Sequence, residues 1–149
     1  MRALLFAAAT GCAPAPQVLS IPAGTSYGEA IQAVAAGART DRLVIEGAVH
    51  RFEIWTPPAA VVRAVADDPE TFRAAFVDAA KLSLFKGTTQ YPAMLSPASV
   101  VDALPLNAIV VVVANEGAPW QSVADFVESL EARKRCKVLL MAPVFGRAK

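Results

Sequence analysis

The sequence predicts an α/β domain: a mixed sheet of five or six strands with about four covering helices, built from two strand–helix–strand units. Three observations carry that prediction. Ile109 to Ala114 is β-branched almost throughout, the composition of a buried strand. The segments beginning at Tyr27 and Pro119 carry helical spacing behind clear start signals. Each of these helices lies between two short β-type runs, which is the grammar of a strand–helix–strand unit. At 149 residues the chain is one domain by size and long enough to bury a core.

Taken in order, Gln17 to Ile21 is a short β-type run ended by Pro22. Ser26 then supplies an N-cap with Glu29 three residues on, a capping box, and the helix runs from Tyr27 to about Ala38. Its apolar residues Ala30, Ile31, Val34 and Ala38 fall on one face. Leu43 to Ile45 is the next strand, closed by Glu46-Gly47. From Val49 to Trp55 apolar and polar residues alternate, as in a half-exposed edge or hairpin strand. Pro57-Pro58 opens a helix over Ala59 to Ala66. Asp68 and Pro69 read as the cap and first turn of another, from Glu70 to about Phe85, with Phe72, Phe76, Ala79, Ala80 and Leu84 on its apolar face. Gln90 to Asn107 reads as a long connection with one turn at Ala98 to Ala103. After the Ile109 strand come a helix from Pro119 to about Lys134 and a last strand from Lys137 to Met141.

The two strand–helix–strand units stand about 93 residues apart. At that offset Val18, Leu19, Gly24, Tyr27 and Val34 fall on Val111, Val112, Gly117, Trp120 and Val127. An aromatic residue thus opens both helices.

Composition narrows the function classes. The chain is 55% hydrophobic and 18% charged, so little polar surface is to spare, and part of the apolar surface is expected to meet a partner. A net charge of +1 argues against nucleic acid. The one dense basic run, Arg133-Lys134-Arg135 with Lys137, suits a helix C-terminus. No apolar run reaches the ~20 residues of a membrane span. Cys12 and Cys136 lie at opposite ends of the chain without metal-ligand spacing. Residues 1–16 have two readings, and 17–149 is the single α/β domain. Met1 to Cys12 has the basic residue, apolar run and small-residue-then-cysteine order of a lipoprotein leader, with Pro14 and Pro16 in a tether. Alternatively Ala3 to Ala9 is a first buried strand. The first reading implies a periplasmic or membrane-anchored protein with a lipid at Cys12, the second a cytoplasmic one.

No catalytic centre is legible. His50 is the only histidine, with no ligand-spaced Cys or paired carboxylate beside it, so neither a metal site nor a catalytic residue is assigned. It reads as a strand residue satisfied by Glu53 or Glu46. Nucleophile-elbow and phosphate-loop patterns are lacking, and no cofactor is implied. Gly24-Thr25-Ser26 ahead of a helix is an anion-site candidate whose simpler role is capping. Asp67, Asp68 and Glu70 read as caps. Trp55 and Trp120 sit near element ends, where large residues mark either pockets or core packing.

Several segments resemble the first lobe of type 2 periplasmic substrate-binding proteins. They are the helix Glu29 to Gly37 followed by Asp41 to Ile45, the strand Val110 to Asn115 followed by Pro119 and Ser122 to Phe126, and Lys137 to Leu140. The chain departs from that family in its length, which fits one lobe, and in having Glu131 to Arg135 where a glycine is usual. The resemblance implies a non-enzymatic binding domain for a small-molecule ligand. Its contacts are placed by position at Thr25, Ser26 and Glu46, because ligands of open α/β sheets bind beyond the strand C-termini. A second resemblance, to periplasmic interaction domains of the ExbD/TolR type, rests on a strand, the turn Tyr27-Gly28, a helix ending near Gly37 and another strand. It implies a protein partner, as does the reading of an accessory subunit in a larger assembly.

Overall fold

The computed structural model describes residues 17–47 and 49–142. Residues 1–16, which carry the leader-or-strand alternative and Cys12, lie outside the described residues. The elements are β1 (Val18–Ser20), α1 (Tyr27–Gly37), β2 (Arg42–Glu46), β3 (Arg51–Trp55), α2 (Ala59–Ala66), β4 (Phe72–Asp78), β5 (Lys81–Lys86), β6 (Thr89–Gln90), α3 (Pro97–Ala103), β7 (Ile109–Val113), α4 (Trp120–Lys134) and β8 (Lys137–Leu140).

Among the described residues the fold is α/β with four helices, and the strands form two mixed sheets. The first has the order β1-β2-β3, parallel then antiparallel. The second has the order β6-β5-β4-β7-β8, in which β4, β7 and β8 pair in parallel, β5 pairs antiparallel with β4, and β6 pairs antiparallel with β5. One apolar core joins them. Leu43, Ile45, Phe52 and Ile54 of the small sheet and Ala74, Phe76, Val110 and Val112 of the large one all belong to it, with Val100 and Leu104 of α3 and Val123, Phe126 and Leu130 of α4. Phe76 and Phe126 meet edge to face at 5.5 Å, the preferred aromatic geometry.

The expected helix from Glu70 to Phe85 is instead the antiparallel pair β4–β5. Phe72, Ala74 and Phe76 are buried and alternate with half-exposed Arg73 and Ala75, while Leu82 and Leu84 alternate with Ser83 and Phe85. Burial has period 2, and the spacing of Phe72 and Phe76 satisfies both periods. Asp68 starts no helix: its Oδ1 accepts from the amide of Glu70 and its carbonyl from Thr71, which closes a turn into β4. Within the expected connection, the turn at Ala98 to Ala103 is α3, capped by Ser96 with Pro97 in its first turn. The basic run does end α4. Lys134 Nζ donates to the Leu104 carbonyl at 2.8 Å, Arg133 pairs with Asp102 at 2.8 Å, and Arg135 closes the helix at a left-handed φ of 53°.

Candidate functional site

The two strand–helix–strand units meet at their helix N-termini. Ser26 and Pro119, equivalent at the offset seen in the sequence, form an isolated antiparallel bridge. The Tyr27 amide donates to the Ala118 carbonyl at 2.7 Å, and the Trp120 amide donates to the Thr25 carbonyl at 3.0 Å. These bonds are reciprocal between equivalent residues. The rings of Tyr27 and Trp120 lie 6.5 Å apart, and Phe52 packs on Trp120 at 6.2 Å. Gly28 donates to the Glu116 carbonyl at 2.8 Å, and a Cβ on Gly28 would lie 2.8 Å from Glu116 Cγ, so glycine permits this approach. Tyr27 then reaches across the end of the large sheet, its hydroxyl 3.0 Å from the Val112 carbonyl and 2.6 Å from that of Met141. Burial pushes this phenol far above its ordinary pKa, so it stays a neutral donor.

This junction determines what surrounds the residues singled out in the sequence. Ser26 Oγ accepts from the Glu29 amide at 3.2 Å and Glu29 returns a bond to the Ser26 amide at 3.1 Å, the expected capping box. Thr25 is half-buried, its carbonyl taken by Trp120. Glu46 is paired with Arg51 at 2.7 Å across the β2–β3 ladder. Thr25 and Ser26 are therefore adjacent at the unit junction, while the Glu46 side chain turns to its own hairpin. The crevice beside them, lined by Ile21, Gly47, His50, Trp120 and Gln121 among others, holds about 20 Å³, room for one water.

His50 finds its partners on α4, not at Glu46 or Glu53 as expected from the sequence. Its Nδ1 is 2.9 Å from Glu128 Oε1, and its Nε2 is 3.0 Å from Asp125 Oδ1 but off the line of a hydrogen bond. Glu128 also accepts from the Arg51 amide at 3.2 Å, and Glu131 accepts from the Glu53 amide at 3.1 Å. The carboxylates of α4 thus terminate the free edge of β3, which otherwise carries unpaired amides. His50 holds the Glu128 carboxyl below the usual range, whereas burial pushes the Glu131 carboxyl up. Sequence reasoning missed this edge. Its one trace is the spacing of Asp125, Glu128 and Glu131 along a single helix face.

A broad concavity lies elsewhere, between α2 and the body of the domain. It encloses about 1000 Å³, at the upper end for small-molecule sites. Ile31 and Val34 of α1, Ile54 and Trp55 of β3, Val62 of α2 and Leu139 of β8 line it. Helix α2 crosses as a strap. All eight of its residues except Arg63 are alanine or valine, yet none is buried. Pro57-Pro58 sets it off from β3, and Asp67 and Pro69 set it off from β4. The charged side chains of the groove are Arg39, Asp41, Arg63, Asp67 and Arg73. On the far side of Trp55, Lys137 sits 4.3 Å over the indole, a cation–π contact that fixes the ring at the groove wall. Of these residues the sequence pointed only to Trp55, as a large side chain at an element end.

Among the described residues no group of three metal-ligating side chains converges, and no helix is long and apolar enough to cross a membrane. What the fold and the groove define is an α/β domain of two interlocked strand–helix–strand units with an apolar cleft at one flank. Compared with protein-family models, curated proteins and solved structures, the chain matches none.

Proposed function

We propose that this chain is a non-enzymatic binding domain whose site is the groove under α2 and whose ligand is a small, largely apolar molecule. One observation carries the reading: an alanine–valine helix with no buried residue spans an apolar cleft of about 1000 Å³. An apolar helix held off an apolar wall exposes surface on both, and a bound ligand removes both surfaces from water at once. The single-lobe likeness to type 2 substrate-binding proteins agrees in kind, as binding without chemistry. The site proposed here is the groove, not the strand ends at Thr25, Ser26 and Glu46, where backbone bonds between the two units, helix capping and the Arg51 ion pair use polar groups.

Titration with Nile red, a neutral apolar dye, tests the reading. The expected result is saturable binding at one site, lost in Val62→Glu, which places a charge under the strap while Val62 itself is only half-buried. Absence of saturable binding to the wild-type chain, or binding indifferent to Val62→Glu, overturns it.

A second reading, an interaction domain of the ExbD/TolR type or an accessory subunit, is favoured by the doubled strand–helix–strand unit, a recurrence that this likeness explains. It makes α2 a protein-docking surface and predicts self-association or partner dependence.

A further inference from the structure

The groove lining is not electrically neutral, and the most firmly held of its cations is Arg73. This side chain leaves the half-exposed face of β4, and its guanidinium carbon stands 4.7 Å over the Phe85 ring. It lines the groove while half-buried. The ion pairs of the described residues join Arg42 to Glu53, Arg51 to Glu46, Lys86 to Glu70, Arg133 to Asp102, and His50 to Asp125 and Glu128. Arg73 has none, and neither do the two other groove arginines, Arg39 and Arg63. Asp41 and Asp67 share the groove without pairing to any of them, leaving three cations against two anions.

A guanidinium lying over an aromatic face keeps its in-plane N–H donors for a planar anion, and carboxylate matches that fork. Arg73 is half-buried, so a carboxylate on its guanidinium makes a charge-assisted bond in surroundings less polar than bulk water. We propose that the ligand is an amphiphilic carboxylate, its apolar chain under α2 and its head group on Arg73. This inference rests on the groove reading and adds the head group. Arg39 and Arg63 are exposed and serve at most as a positive rim, whereas Arg73 is held by a strand and a ring.

Calorimetry of the full chain with decanoate and with decanol separates the two claims, because the chains are equal and only the head group differs. A charge-assisted bond predicts that decanoate binds about tenfold tighter or better. Arg73→Gln is expected to bring decanoate down towards the affinity of decanol, and Arg73→Lys to recover part of the difference, with decanol losing far less than decanoate in both. Equal affinity of the two ligands for the wild-type chain overturns the carboxylate inference and leaves the groove reading standing. A decanoate preference that survives Arg73→Gln overturns the assignment to Arg73. Binding of neither ligand overturns the groove reading, and this inference with it.

Discussion

Tyr27 shows how much one side chain does at the unit junction. Its hydroxyl has one proton and faces two carbonyls, with the shorter contact at Met141, so deleting it leaves a carbonyl at the end of the large sheet unmet. Tyr27→Phe is expected to cost about 1–2 kcal/mol in chemical denaturation. The α4 carboxylates make a pH-dependent statement of opposite signs. A carboxyl held low in the folded chain contributes stability that is present above its unfolded value and lost as pH falls through the folded one. Glu128 is of this kind, because of the His50 bond, so Glu128→Gln should flatten the loss of stability below the ordinary carboxylate range. Glu131 is held high by burial, so its ionisation opposes folding as pH rises through and above that range. Glu131→Gln keeps an acceptor for the Glu53 amide and should raise melting temperature at neutral pH, with the gain vanishing in acid. Melting curves of the two variants across pH check both signs.

At the scale of elements, what was legible in the sequence is local and what was not is paired across the chain. The capping box of α1 needs only Ser26 and Glu29, three residues apart, and the start of that helix follows from it. The strand β7 declares itself by β-branching alone. The hairpin β4–β5 does not, because Phe72, Phe76 and Ala80 fit a helical face and the choice is made by pairing with β7. The next turn, from β5 into β6, is set by Gly87, at a φ of 60°, where a Cβ would stand 2.9 Å from the Pro69 backbone. Gly87→Ala is therefore expected to destabilise by about 2 kcal/mol, combining left-handed strain with the clash, whereas Gly24→Ala, whose Cβ meets open space, should stay within about 0.5 kcal/mol. The α4 carboxylates that close the β3 edge lie 77 to 78 residues from the amides they serve, which is why neighbours of His50 in sequence were the wrong partners to expect.

For the whole molecule, the recurrence seen in the sequence corresponds to two units that meet reciprocally, and the aromatic residue opening each helix is where they touch. The groove was illegible for the opposite reason: α1, β3, α2, β4 and β8 each contribute between one and four residues, and no segment carries a motif for it. The apolar composition, as surface expected to be covered, and Trp55 at an element end gave the only warnings of it. Whether a small ligand or another chain covers it decides between the two functional readings. The most direct measurement is the solution mass of the full chain by light scattering over a wide concentration range, with hydrogen exchange followed in α2. The account predicts a monomer of 15.6 kDa whose α2 amides exchange readily until decanoate is added and then become protected. A dimer in which α2 is already protected without ligand would contradict it, and would make the strap a protein interface.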